Sequence, residues 1–180
     1  MLHKSLIKDG GKKLNNKIVL TTERLKIRHF TLSDTKQVYK MSREEGIKKW
    51  LPDQVYKNKE EAEEVLKFLI SRYQYIPEIN KCPYVFGVEL KGDKELIGHV
   101  GLSQVDLGVE VGYGIADQYK NKGYATEVLK DFSKWALDDL NLDKLWGIVD
   151  QNNIASINVL EKSNYALKDK SKGKYRYVYE

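Results

Sequence analysis

The feature that most restricts the fold lies in the second half of the chain. An alternating strand, GVEVGYGIA (108–116), runs into the loop DQYKNKG and then into a helical pattern, before a second strand, KLWGIVD (144–150). In the helix, Ala125, Val128, Leu129, Phe132, Ala136 and Leu140 fall on one side. Two strands joined through a helix lie parallel and adjacent, because a short turn cannot reverse the chain between them. The sequence therefore calls for a mixed α/β sheet with one parallel pair near its middle.

The remaining segments arrange themselves around that pair. TTERLKIRHF (21–30) alternates Leu25, Ile27 and His29 against Arg24, Lys26 and Arg28, which predicts a strand. Thr31 with Asp34 resembles a capping box and opens a short helix through Val38 and Met41. GIKKWLPDQVY (46–56) reads as irregular, broken by Pro52. Asn58 with Glu61 marks a second helix start, with Ala62, Val65, Leu66, Leu69 and Tyr73 at helical spacing. Pro77 and Pro83 bracket a loop. YVFGVEL, LIGHVGLSQV and VEVGYGIA follow as an antiparallel meander, with Gly92 and Asp93 in its first turn. NNIASINVLEKSN (152–164) is a helix, and YALKDK with YRYVYE closes the chain as a hairpin. The expected architecture is α/β (α+β): six to seven strands, mostly antiparallel with one central parallel pair, flanked by about four helices. Residues 1–17, rich in breakers and charge, read as a loosely held arm, and 18–180 as a single domain.

Composition serves mainly to exclude. Hydrophobic residues make up 41% and charged residues 32% of the 180, ordinary for a globular protein. No apolar run approaches the ~20 residues that cross a bilayer, and the N-terminus lacks the apolar core of a secretory signal. A cytoplasmic protein without membrane contact is expected. One cysteine, Cys82, cannot form an intrachain disulfide, and His3, His29 and His99 have no metal-ligand spacing, so no metal site is expected. The net charge of +5 suits an anionic ligand. The basic run KDKSKGKYR lies in no nucleic-acid-binding module and reads as a solvated hairpin. Nothing in the sequence forbids a homodimer.

The loop between strand and helix carries the most specific chemistry. A strand feeding a helix aims unpaired backbone N–H groups outward at the helix start, and these attract anions. Gly123 has no side chain, so a phosphate can approach the backbone there. Asn121 tolerates the left-handed conformation that shapes an amide cup. Lys120 and Lys122 add positive charge. The plain alternative is a turn whose lysines keep it soluble. A P-loop is ruled out because GxxxxGK[ST] is absent. GYGIAD departs from the dinucleotide fingerprint, with Asp117 in place of the third glycine.

With these residues in view, EVGYGIADQYKNKGYATEVL resembles the acetyl-CoA motif of the GNAT superfamily, in particular its RimJ/RimL-like N-acetyltransferases. Lys120 stands at the Gln/Arg position of the Q/R-x-x-G-x-G/A pattern, Gly123 at the glycine and Ala125 at the last position. Asn153, Ser156, Glu161, Lys162 and Tyr165 match or nearly match the second family signature, and TERLKIRHF resembles the family's first strand. Three departures stand out. Lys120 changes donor geometry, Asn164 replaces a glycine before the aromatic, and Leu160 stands where many members carry a tyrosine acid.

The resemblance implies direct attack of a primary amine on the thioester of acetyl-CoA, the cosubstrate. The acceptor is a protein N-terminal α-amine or a small amine. It implies cofactor contacts from Ile115, Lys120, Asn121, Lys122, Gly123, Tyr124, Ala125, Thr126 and Asn153. Ser156 is the carried-over acid, assisting the departing thiolate; it also reads as a helix-start serine bonding locally. Glu110 is the candidate base, directly or through water. On an ideal strand it shares a face with Gly112 and Gly114, leaving a slot without side chains. The family's bulge in this strand would shift that phase. Trp50 and Tyr56 are the candidate acceptor-side residues. Trp135 and Trp146 read as core, Cys82 as inert and His99 as a strand histidine. The competing function is a non-catalytic acyl-CoA-binding or sensing domain, which would keep the cradle and need neither Glu110 nor Ser156.

Overall fold

The computed structural model describes residues 17–76 and 78–180. The expected arm, apart from Lys17, and the loop residue Pro77 lie outside the described residues.

Among the described residues eight strands form one sheet, in the order β1-β2-β3-β4-β5-β6-β8-β7. They are β1 (Ile18–Thr21), β2 (Leu25–Arg28), β3 (Tyr84–Leu90), β4 (Leu96–Val105), β5 (Gly108–Ile115), β6 (Leu145–Asp150), β7 (Ala166–Ser171) and β8 (Lys174–Tyr179). Five α-helices accompany them among the described residues: α1 (Thr35–Ser42), α2 (Glu45–Trp50), α3 (Lys59–Arg72), α4 (Tyr124–Leu140) and α5 (Ile154–Lys162). The one parallel pair among the described residues is β5 with β6, as the connecting helix requires. The described residues thus add one strand, β1, and one helix, α2, to the expected set.

The helix α2 corrects the irregular reading of 46–56. Pro52 does not break this helix; it opens the short 3-10 turn that follows at Pro52–Gln54. Proline fits the first position of a helical turn, where its missing N–H would be unpaired anyway. The two caps read from the sequence are present. The Thr31 amide donates to Asp34 Oδ2 at 2.8 Å, and the Glu61 amide donates to Asn58 Oδ1 at 2.9 Å.

The core lies chiefly between the sheet and α4 and α5. Val109, Val111 and Ile115 of β5 pack there with Val128, Leu129, Phe132, Ile157 and Leu160. Each fully buried aliphatic or aromatic side chain stabilises the fold by roughly 1.5–3 kcal/mol, before entropy is counted. A smaller apolar cluster, Phe30, Leu66 and Leu96, forms where α3 meets the sheet. Trp135 packs at the margin of the main core, its ring 5.2 Å from that of Phe132. Trp146 is not in the core: it is half-buried, and its indole N–H donates to the Leu107 carbonyl at 2.8 Å.

Arg28 departs from the simple alternation of its strand. It is 5% exposed and pairs with Glu89 at 2.5 Å and with Asp34 at 2.9 Å. A guanidinium with two carboxylates satisfies its donors in a fixed fork, which makes burial tolerable. The trio ties β2 and β3 to the start of α1.

The β4–β5 ladder sets the geometry of the site. It holds eight successive register pairs, from Gly98↔Ile115 to Val105↔Gly108, without interruption. The bulge expected from the family does not occur in this ladder, so Glu110, Gly112 and Gly114 keep their common face. The β5–β6 ladder, by contrast, has a single register pair, Glu110↔Trp146.

Candidate active site

A cavity of about 540 Å³ opens where β5 and β6 separate. Both strands line it from Glu110 to Ile115 and from Gly147 to Asp150. The start of α4 closes one end, and α5 forms a wall through Asn153, Ser156 and Leu160. Gly112 is open to it: a Cβ built there would meet nothing within 4 Å.

The loop before α4 is shaped as an amide cup. Asn121 has φ 60° and Gly123 φ 81°, both left-handed. Gly123 is the N-cap and supplies no side-chain acceptor. The first helical bond runs from the Glu127 amide to the Gly123 carbonyl at 3.0 Å. The amides of Tyr124, Ala125 and Thr126 precede it, at the positive end of a 17-residue helix.

A brace from the sheet edge holds this cup. Arg24 Nε donates to Glu127 Oε2 at 2.6 Å, and Arg24 Nη1 donates to the Lys122 carbonyl at 3.0 Å. The guanidinium also stacks 4.5 Å above the Tyr124 ring. Burial works against the charge on Glu127, but hydrogen bonds from Thr22 and Arg24 hold its carboxyl below the usual value. The strand pattern had placed Arg24 on a polar face and gave no sign of this role.

The two lysines behave differently. Lys120 lines the cavity, paired with Asp117 and lying against Gly46 of α2. The Asp117 amide in turn donates to Glu44 Oε2 at 2.8 Å, joining the loop to the residue before α2. Lys122 does not line the cavity; its ammonium sits 5.2 Å from the Tyr119 ring centroid. Its side chain is therefore not brought to the cup, and its contribution there is the carbonyl that Arg24 grips. Ile115, Asn121, Gly123, Tyr124, Ala125, Thr126 and Asn153 all line the cavity.

Glu110 sits where the strands begin to part. Burial pushes its carboxyl above the ordinary value, against the opposing pull of the Ile148 amide and the Lys174 charge. Ser156 lies on the first turn of α5, where Asn153 Oδ1 accepts from its amide at 3.2 Å. Its hydroxyl accepts from Tyr113 Oη at 3.1 Å. Nothing in the strand pattern singled out Tyr113 for this contact. Leu160 is buried against Gly147, where a Cβ would come within 2.5 Å of its Cδ2. The usual place of a tyrosine acid is therefore filled by packing.

Trp50 lines the main cavity. Tyr56 does not; it lines a second, mainly apolar cavity of about 310 Å³ beside α1 and α3. Ile47 lines both. His99 of β4 faces Gly114 between them, and burial pushes its imidazole down to about 4, so it is neutral at pH 7. Burial pushes the Cys82 thiol up to about 11, which leaves it a poor nucleophile. Among the described residues no cluster of His, Cys, Asp or Glu has the arrangement of a metal site. No helix among them is long and apolar enough to cross a membrane.

A strand-to-helix amide cup opening onto a parted parallel pair agrees with the comparison to known families. The acetyltransferase (GNAT) domain model matches residues 24–165. This chain belongs to the GNAT acetyltransferase family. Membership makes it an N-acetyltransferase with acetyl-CoA as its acetyl donor. The uncharacterised N-acetyltransferase YnaD of Bacillus subtilis (strain 168) is 27% identical over 79% of each chain. A GNAT-family acetyltransferase structure from Bacillus anthracis superposes with TM-score 0.74 at 22% identity, over 88% of this chain and 96% of its own. RimL, a ribosomal L7/L12 α-N-protein acetyltransferase solved with coenzyme A, shares the fold with TM-score 0.72 at 14% identity, over 91% and 97% of the two chains.

The cavity fits this cosubstrate on its own evidence. The cup offers uncapped amides for a diphosphate, Gly112 leaves room for a thin arm while Gly114 is closed off by His99 and Ile47, and the parted strands expose backbone donors.

Proposed function

We propose that this GNAT enzyme acetylates the free α-amine of a protein or peptide N-terminus. The seam between β5 and β6, with Glu110 at its closed end and the amide cup at its mouth, carries the reading. Bound acetyl-CoA supplies an activated acyl carbonyl with a thiolate leaving group.

The chain's own residues then have distinct tasks. The amides of Tyr124, Ala125 and Thr126 hold the diphosphate, with Lys120 beside them, and Asn153 fixes the first turn of α5. Backbone N–H groups near Ile115 hold the acetyl oxygen, on which charge develops. Glu110 takes the amine proton, directly or through water, and its raised proton affinity suits it to that task. Ser156 donates to the departing sulfur.

Energetics favour an α-amine. Neutralising one at pH 7 costs roughly 1.4 kcal/mol, against roughly 4.6 kcal/mol for a lysine-type amine. A single half-buried carboxylate can meet the first demand more easily than the second. The acceptor approaches across Trp50 and Ile47, with Tyr56 and the second cavity receiving its first side chain. The shared fold with RimL supports an N-terminal acceptor.

The test is a mass-spectrometric screen with labelled acetyl-CoA and three acceptor sets: N-terminal peptides, polyamines and aminoglycosides. Label should enter the α-amine of the peptides. Label confined to polyamines or aminoglycosides would overturn the acceptor assignment. Coenzyme A binding without label transfer to any set would favour a sensing domain.

A further inference from the structure

The main cavity contains a hydroxyl pair that family motifs do not account for. Tyr113 projects from β5 toward α5, and its Oη donates to Ser156 Oγ at 3.1 Å. Both residues line the cavity. Among the described residues this is the hydrogen bond that Ser156 Oγ makes, so the serine's own proton is not committed to a protein acceptor.

A serine hydroxyl has one proton and two lone pairs. When a fixed phenol occupies one lone pair, the hydroxyl rotor loses freedom and the O–H is turned away from the phenol, toward the open cavity. The phenol is a dependable donor because burial pushes its pKa up to about 12, against the opposing Ser156 bond, so it stays protonated across the working range. Leu160, packed on Gly147, leaves no competing phenol at the next turn of α5.

We propose that Tyr113 is a positioning residue: its hydroxyl orients the Ser156 O–H toward the sulfur of coenzyme A and so stabilises the thiolate form. The inference rests on the reading of this cavity as the coenzyme A site. No proton needs to leave Tyr113. Ser156 supplies the hydrogen bond to sulfur, and charge-assisted bonds of that kind are stronger than neutral ones.

The consequence is measurable without turnover. Taking a free thiol pKa of about 8.5, a bound value one unit lower makes coenzyme A bind about sixfold more tightly at pH 9 than at pH 7. The sign follows from linkage: a ligand whose pKa falls on binding gains affinity as pH rises past the bound value. Desulfo-coenzyme A, which lacks the thiol, corrects for the other titratable groups lining the cavity, Glu110, Asp150, Lys120, Lys162, Tyr119 and Tyr124, and for Tyr165, a buried phenol near Tyr113.

The experiment is calorimetric titration of both ligands from pH 7 to pH 9 into wild type, Tyr113→Phe and Ser156→Ala. Wild type should show the thiol-specific gain, Ser156→Ala should lose it, and Tyr113→Phe should lose most of it while binding desulfo-coenzyme A normally. A full gain retained in Tyr113→Phe would overturn the proposal. So would an equal loss of affinity for both ligands at every pH, which marks a structural role. If neither ligand binds the wild type, the assignment of the cavity fails and this inference with it. If both bind with no thiol-specific gain, the inference alone fails.

Discussion

The two sides of β5 differ sharply. Toward β4, eight successive residue pairs lock the strand in register; toward β6, one pair does. The first side is close-packed at Gly98, where a Cβ would lie 2.3 Å from the Gly114 carbonyl oxygen. The second side is open, and a Cβ on Gly112 meets nothing. One strand thus serves as both scaffold and binding edge. The rigid ladder fixes where the unpaired backbone of the other edge points, and preorganised donors are useful only if they are held still.

Removing the candidate base tests the open side most severely. Glu110→Gln should lower turnover by about 10²–10⁴-fold while leaving coenzyme A affinity within about twofold; steady-state kinetics beside calorimetry read the two separately. Because burial raises the pKa of Glu110, the acid limb of kcat/KM should fall above the ordinary carboxylate range. Activity is lost as pH drops through that raised value, because the base is then protonated. A pH–rate profile flat down to pH 4.5 would contradict the assignment.

Two alanine substitutions separate the sides of the strand. Gly98→Ala should destabilise by about 1–3 kcal/mol through forced backbone movement, seen as a drop in thermal midpoint of roughly 2–4 °C per kcal/mol. Gly112→Ala should change stability by less than about 0.5 kcal/mol yet weaken coenzyme A binding by about tenfold, because the methyl group occupies the slot. If both variants lose stability equally, the two sides of β5 are not packed differently. The smallest effect is expected from Arg24→Ala. Its partly exposed ion pair is worth up to about 1 kcal/mol, so coenzyme A affinity should fall by about two- to fivefold.

What the sequence made legible was local chemistry and chain order. Asn121 and Gly123 adopt the left-handed conformations their residue types suggested, and Asn164 does the same, at φ 66°, in place of the family's glycine. The parallel pair followed from the helix between its strands. What stayed hidden depends on partners far apart in the chain. Arg28 looked like a solvent-facing residue because Glu89 and Asp34 reach it only in the folded sheet. Arg24 and Glu127 are 103 positions apart. The hydroxyl contact between Tyr113 and Ser156 spans 43. The turn of the Lys122 side chain toward Tyr119 was hidden for a related reason: spacing places a side chain near a loop but does not say which way it turns. The α2 helix was obscured by Pro52, which marks the beginning of the next turn and not a break in this one.

The Arg24 brace has a consequence for how a ligand is received. The loop of the cup is already tethered to the sheet edge through Glu127 and the Lys122 carbonyl, so its chain entropy is surrendered when the polypeptide folds. An arriving anion meets a finished receptor, and little of the free energy of encounter is diverted into setting the loop.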